Sequence, residues 1–433
     1  MRRPTPGEVL RALPGPTRPL VTALLGAADE RQLPVYLVGG PVRDLLLERP
    51  IGDVDLLVEA RRGVAAAELA GLAQVPAARV VGHGRFGTAT LRTPEASVDL
   101  ATVRRETYAH DGALPSVAEG SLEDDLGRRD FSANALALPL SKAAREAHAG
   151  IVDFDAGLRD LEARCLRVLH PRSFHDDPTR ALRAARLAAR LGFTLSRGSR
   201  AALRDALRDG AFGRVSGERL RRELVKLFEE PECARALRLL DEWHVLGALE
   251  PGLGLAPEAV APLRRLGRRV GAAPWDRGRG RPWIAGLALW LAPLAPALRR
   301  RALRRIAVRG AAAEAVGGFP RSRETWLRGL ARARGRGAVD ALLRGLDEDA
   351  ICALYASAPP AGRRRVDRWM REDRGRRSPV GGDDLVALGL EGPGLGRALA
   401  QVRAAWLDGA VRTRDEALAL AREVARGRGA PRR

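Results

Sequence analysis

Apolar and polar positions along the chain change their period near residue 155. Before that point short apolar runs alternate with polar breaks. VYLVGG at 35–40, DVDLLVE at 53–59, ARVVGHGRFGTATLR at 78–92 and ASVDLATVR at 96–104 read as strands. GPVRDLLLE and GVAAAELAGLA between them carry helical spacing. After Asp155 the strand signal stops, and amphipathic helices punctuated by Gly and Pro follow, such as DPTRALRAARLAARLGF at 177–193 and GERLRRELVKLFEE at 217–230. The pattern predicts an α+β chain: an N-terminal extension over 1–19, a mixed α/β head over 20–155, then an all-helical neck over 156–215, body over 216–330 and tail over 331–433. WDRGRGRP at 275–282 and REDRGRRSPVGG at 371–382 read as joints, and no internal repeat is evident.

Composition sharpens this picture. At 433 residues the chain is too long for one core, so several domains are expected. Aromatic content is only 4%, and Ala, Leu and Arg dominate, which favours helices over strands. The formal charge of +21 points to a polyanionic partner, although any one Arg can equally solvate a helix face. Cys165, Cys233 and Cys352 lie far apart with no CxxC pair, which argues against a disulfide framework or structural zinc and fits a reducing cytoplasm. MRRPTPGEVLRALPGP lacks the apolar core of a signal peptide. The most apolar segment, PWIAGLALWLAPLAPAL at 282–298, contains three prolines and has Arg on both sides, so it reads as a buried helix rather than a membrane span. A cytoplasmic protein with no membrane association and no obligate protein partner is expected.

The candidate chemistry lies in the head. Gly39 and Gly40 end a buried strand, and a helix carrying Arg43 and Asp44 follows, an arrangement that turns backbone N–H groups towards an anion and offers Arg43 to phosphate. A plain tight turn accounts for such a pair of glycines equally well. Asp53 and Asp55 share one side of a strand, since residues i and i+2 point the same way. Two converging carboxylates suit Mg²⁺, which usually takes one or two of them plus substrate phosphates. Asp99, on another strand, is placed to complete the cluster. Two solvated acids at a strand end are the ordinary alternative.

GGPVRD followed by DVD at 53–55 resembles the signature of the DNA polymerase β-type nucleotidyltransferases, in particular the class II tRNA nucleotidyltransferases (CCA-adding enzymes) and the related bacterial poly(A) polymerases. FGTATL at 86–91, LGRRDFSANALAL at 126–138, SFHDDPTRALRAARLAARLGF at 173–193 and VSGERLRREL at 215–224 are similar to further family elements in the same order. A weaker similarity covers 383–409. The resemblance implies metal-dependent nucleotidyl transfer to the tRNA 3′ end from ATP and CTP, with Mg²⁺ on Asp53 and Asp55. It also implies nucleotide contacts from Gly39, Gly40, Arg43 and Arg129, with Asp130 as a ribose partner by position.

Asp177, Arg180, Arg183 and Arg186 are spaced three apart and would share a helical stripe. An Asp/Arg pair can accept from an exocyclic amino group and donate to a ring acceptor, which admits C and A and excludes U and G. That matches the family, in which protein side chains act as the template, and Arg183 and Arg186 match further nucleotide-contacting positions. An ordinary salt bridge is the alternative for a DxxR standing alone. The sequence departs from the family pattern with Asp176 in place of the usual Glu, Pro41 within GGPVRD, and FSANA. His175-Asp176 also admits a metal-dependent phosphohydrolase, but His244 is the only later His. Glu218, Arg219 and Glu223 read as braces of the helical region. Runs at 297–310 and 361–372, and the Gly-rich LGLEGPGLG at 388–396, are candidates for RNA phosphate contacts. TYAHDGALPSVAEGSLEDDL at 107–126 lies where the family has a flexible loop, and its length disfavours a CC-only enzyme. Addition of A alone, poly(A) synthesis and a non-catalytic RNA-binding relative are the competing expectations.

Overall fold

The structure, a computed structural model, describes residues 4–61, 63–83, 87–107, 116–269, 272, 275 and 280–425. The chain divides into two compact units, Met1–Val215 and Ser216–Arg433.

The first unit is built on strands β1 (Val35–Val38), β2 (Asp55–Val58), β3 (Arg79–His83), β4 (Thr88–Arg92), β5 (Ser97–Thr102), β6 (Arg104–Thr107), β7 (Ser116–Glu119), β8 (Leu136–Pro139) and β9 (Val152–Asp153). Seven of them form one sheet in the order β3-β4-β5-β2-β1-β8-β9, while β6 and β7 pair as a separate hairpin. All neighbours in the large sheet are antiparallel except β2 and β5, which run parallel with Asp55 opposite Asp99. The apolar run at 78–92 is therefore two strands of a hairpin, β3 and β4. The loop-region reading at 107–126 falls partly outside the described residues, and its described part contributes β7 and the helix Leu122–Gly127.

Alternation along the strands gives the sheet two different faces. Leu37, Leu56, Val58, Ala89, Leu91, Val98 and Leu100 are buried, and the helices Arg18–Glu30 and Ala66–Leu72 pack against β4 and β5. On the other face Tyr36, Val38, Leu57 and Ala137 form a core with Leu122 and Leu126. Towards β4 and β5 that face is no longer apolar: Thr88, Thr90, Asp99 and Asp55 occupy it. The strand at the sheet's edge, β3, exposes Val80 (42%) and Val81 (47%).

Two expectations for the region after Asp155 need correction. It is not wholly helical, because Cys165–Leu166 and Thr194–Leu195 pair as a short parallel ladder. The helix expected over 177–193 spans Arg180–Leu191 instead. Pro178 is the reason: the residue before a proline is pushed out of the helical region, and Asp177 sits at φ −137°, ψ 93°.

The described residues of Ser216–Arg433 are helical. The helix expected over 217–230 starts at Gly217 and ends at Phe228, and Pro282–Leu291 is buried from Ile284 to Leu291 around Trp290. Among the described residues no helix is long and apolar enough to cross a membrane. The expected joint at 330/331 falls inside the helix Gly310–Arg332. WDRGRGRP lies largely outside the described residues. Further along, Asp340 and Asp373 are enclosed by cations. Asp340 accepts from Arg344, from Arg403 Nε (2.7 Å) and from Trp369 Nε1 (2.8 Å), while Arg336 Nε donates to Asp373 at 2.8 Å. The three cysteines are free.

Candidate active site

Asp53 stands on a bend just before β2, and Asp55 opens the strand. The register places Thr90, Asp99 and Asp55 in one row across β4, β5 and β2. Because Asp55 is half-buried, desolvation pushes its carboxyl up to about 6. Arg129 works against that rise, and Asp99 and Asp53 add to it. Neither Asp53 nor Asp99 has a cation close enough for an ion pair among the described residues, so the row is short of positive charge. Asp99 does not complete a three-ligand cage, however. Its Oδ1 accepts from Thr90 Oγ1 at 2.6 Å, and no group of three His, Cys, Asp or Glu side chains that could hold a metal is found among the described residues. Asp53 and Asp55 are left as the two carboxylates expected from the sequence to hold a cation.

A cleft of about 770 Å³ opens on this face, lined by Asp55, Thr88, Thr90, Asp99, Arg128 and Arg129. The cationic wall is held from below. Asp125 is fully buried on the helix Leu122–Gly127; Arg128 donates to it from Nη2 at 2.6 Å and Arg129 from Nη2 at 3.1 Å, one helical turn away. Arg128 Nη1 also reaches Glu106 at 2.8 Å. Asp125 and Glu106 thus fix the two guanidiniums where they face the acidic row.

Gly39 is needed for this arrangement. It caps the helix Gly40–Leu46 at φ 72°, ψ −127°, a conformation reserved for glycine, and a Cβ there would stand 2.6 Å from Arg129 Nη1. Gly40 carries no such demand: a Cβ would meet the Arg43 guanidinium at an ordinary 3.5 Å. Arg43 departs from the expected phosphate contact. It is buried, bonded to Asp44 through Nε and Nη2 (both 2.9 Å) and to Asn134 Oδ1 through Nη1 (2.6 Å), so it braces the turn from inside.

Asp130 likewise faces protein. Its Oδ1 accepts from the Phe131 N–H and from Asn134 Nδ2, both at 2.9 Å, and its Oδ2 pairs with Arg183 at 2.7 Å. Burial would raise this carboxyl, but Arg183, Asn134, Arg180 and Arg129 together hold it below the ordinary range. Asp130 thus links the head to the helix Arg180–Leu191. Arg180 makes a second link: it is buried and Nη2 donates to the Arg128 carbonyl at 2.9 Å. Asp177 does not lie on the helical stripe. It precedes the helix, and its Oδ1 accepts from the Thr179 N–H (3.0 Å) and hydroxyl (2.6 Å). Arg183 and Arg186 do lie on the helix. His175 is buried with Nε2 3.0 Å from Asp209 Oδ2, so the HD dipeptide is a His–Asp pair reaching the helix Arg197–Arg208 and its cap.

Sequence reasoning missed Asp125 and Asn134, the residues that fix Arg129 and Arg43. Asp125 was legible as the acid one helical turn before two arginines. Asn134 carried no signal.

Comparison with known proteins follows this geometry. A family model described as the poly(A) polymerase head domain matches residues 35–167, and one described as the probable RNA- and SrmB-binding site of polymerase A matches 192–255. The chain is 35% identical to a CC-adding tRNA nucleotidyltransferase of Deinococcus radiodurans, over 88% of this chain and 86% of that protein. It is 33% identical to an A-adding tRNA nucleotidyltransferase of Geobacter sulfurreducens over 96% of this chain, which spans about half (48%) of that longer protein. Among solved structures, a CCA-adding enzyme in apo form II matches with a TM-score of 0.72 at 29% identity, covering 99% of this chain and all of the other. A CCA-adding enzyme with CTP (TM-score 0.68, 27% identity, 99% of each chain) and the Thermotoga maritima CCA-adding enzyme complexed with tRNA (0.67, 27%, 99% of this chain and all of the other) are similar too.

Proposed function

Because this chain belongs to the family of tRNA nucleotidyltransferases and poly(A) polymerases, we propose that it extends the 3′ end of tRNA, adding or repairing the terminal CCA from CTP and ATP with release of pyrophosphate. The observation that carries this reading is the cleft that sets Asp55 and Asp99 across from Arg128 and Arg129, with Asp53 on the bend two residues before Asp55. The nucleotide triphosphate lies against the cationic wall, where Arg129 keeps a guanidinium edge beyond its bond to Asp125. The RNA hydroxyl oxygen bonds to the α-phosphorus as the bond to the bridging oxygen breaks. Pyrophosphate leaves with that electron pair, and the hydroxyl proton passes to solvent.

Asp53 and Asp55 fit a divalent cation such as Mg²⁺: two hard carboxylates, one of them driven towards neutrality by burial against the opposing pull of Arg129. Asp53 and Asp55 would hold such a cation, which would supply charge neutralisation and Lewis-acid chemistry at the row. A pH dependence follows from the sign of the Asp55 shift. Its folded-state carboxyl is raised, so the stability it contributes is full below the ordinary carboxylate value and is lost as pH rises through about 6. The cation competes with that proton. Stabilisation by Mg²⁺ in thermal melts is expected to be slight at pH 5 and to grow to a plateau above pH 7; a Mg²⁺ shift independent of pH would contradict the assignment.

Base choice is assigned to Asp177 with Arg180, at the start of the helix that carries Arg183 and Arg186. A lost bidentate pair is worth about 1–3 kcal/mol of discrimination. Asp177→Ala is therefore expected to lower selection against UTP and GTP by about 10- to 100-fold, read by incorporation of the four nucleotides singly. Unchanged selection would refute the templating role.

Incubation with Mg²⁺, labelled ATP or CTP, and tRNAs ending before, within and after CCA tests the activity. Incorporation on none of them leaves a non-catalytic RNA-binding relative. Addition of A alone to tRNA ending in CC selects the A-adding reading, which the similarity to the Geobacter enzyme favours. Addition of C alone selects the activity named for the Deinococcus enzyme, and repeated A selects poly(A) synthesis. The basic helical unit supplies sequence-independent phosphate contacts in each case, and the free thiols fit a cytoplasmic setting.

A further inference from the structure

The carboxylate row has a second side. Two residues along β4 from Thr90, roughly 7 Å by the strand rise, Arg92 stands opposite Ser97 at the turn between β4 and β5. A separate hollow of about 900 Å³ opens here, and its lining includes Asp53, Thr90, Arg92, Ser97, Asp99 and, from the N-terminal segment, Pro14. It shares Thr90 and Asp99 with the nucleotide cleft but holds Asp53 where the other holds Asp55. The acidic row therefore separates two chambers rather than closing one.

The cations of the two chambers are held differently. Arg128 and Arg129 are tied to Asp125. The Arg92 side chain has no hydrogen-bond or ion-pair partner among the described residues, though Glu95 lines the same hollow. Its cross-strand neighbour is another arginine, Arg79 on β3, directly opposite it in register and equally without a partner among the described residues. Like charges placed directly across a ladder destabilise it, and a bound anion reverses the sign of that interaction. Transfer to phosphorus, in turn, needs the attacking and leaving oxygens roughly in line. With the triphosphate and its leaving pyrophosphate on the Arg128–Arg129 side, the attacking hydroxyl has to arrive from the Arg92 side.

We propose that the hollow beside Asp53 receives the 3′-terminal nucleotides of the RNA acceptor, and that Arg92, with Arg79 behind it, grips their backbone phosphates so that the terminal hydroxyl meets the α-phosphorus in line. Arg92 and Arg79 are positioning residues, since they hold the acceptor and not the reacting atoms. The assignment rests on the nucleotidyltransferase reading above. It extends that reading to a second chamber, which is what gives a templating protein a fixed place for a strand whose sequence it does not read.

The test is steady-state kinetics of the full chain with Mg²⁺ and ATP or CTP, varying tRNA, on R92A, R79A and R92K. R92A is expected to raise the KM for tRNA about 10-fold or more while leaving the KM for the nucleotide within about two-fold; R79A acts in the same direction and R92K recovers much of the loss. Direct tRNA binding gives a readout independent of chemistry. Each phosphate contact removed should flatten the plot of log K against log salt by about 0.7, whereas a merely structural role would leave that slope untouched. An active wild type whose R92A variant keeps both its tRNA KM and its salt slope overturns the assignment. If the wild type transfers nothing, the nucleotidyltransferase reading fails, and an altered salt slope in R92A still decides whether this surface holds RNA.

Discussion

Asp53→Ala is expected to cut nucleotide transfer by about 10³-fold or more, several kcal/mol of transition-state stabilisation, because a single carboxylate at the half-buried Asp55 cannot retain the cation. Single-turnover incorporation onto a tRNA substrate measures the loss. Affinity for tRNA is expected to stay close to that of the wild type, because Asp53 is an exposed carboxylate and phosphates are held by cations. Equal losses of transfer and binding would contradict a metal-holding role. Asp55→Ala should lose transfer as fully, with one added effect: removing a desolvated carboxylate takes away a destabilising charge, so the metal-free protein should melt slightly higher at neutral pH.

The second large effect lies in Ser216–Arg433. Asp340 is 3% exposed and accepts from Arg403, Arg344 and the Trp369 indole. Asp340→Ala leaves the Trp369 indole N–H without its acceptor and strips the mostly buried Arg403 guanidinium of its carboxylate, leaving it only the carbonyls of Arg376 and Asp373. Breaking a buried pair from one side typically costs 3–5 kcal/mol, which in a domain of this size lowers the melting temperature by roughly 10 °C. Calorimetry checks it, and a melting temperature within about 1 °C of wild type would show that the network is dispensable. Asp340→Asn keeps the shape and an acceptor oxygen, so an intermediate shift separates lost charge from lost packing.

Local sequence carried the chain's architecture because its cues are short-range. Short apolar runs marked β1, β2 and β5, and amphipathic periodicity marked Gly217–Phe228. What escaped was decided across long separations. Nothing near Asp55 says that β2 runs parallel to β5, yet that register sets Asp99 beside it and Thr90 next in line. Arg43 looks like a phosphate ligand because an anion-facing turn precedes it. Asn134, 91 residues away, turns it inward instead. Asp130 reads as a substrate partner until Arg183, far along the chain, occupies its carboxylate. The helix expected from Asp177 begins at Arg180 because Pro178 resists helical geometry at its predecessor, a rule that was available from sequence and was outweighed by the strong periodicity after it.

The edge strand β3 has a consequence for handling the protein. An open strand with Val80 and Val81 facing water is a template for pairing with a second copy, and such edges are commonly guarded by charge. Two copies meeting along β3 would bring Arg79 of one close to Arg79 and Arg92 of the other, and their repulsion keeps the edges apart. The guard is ionic, so salt weakens it while leaving the valines as sticky as before. Concentrated stocks should therefore stay monodisperse at low ionic strength and coarsen as salt is raised, contrary to the usual practice of adding salt to a basic protein. A variant lacking Arg79 should cloud first.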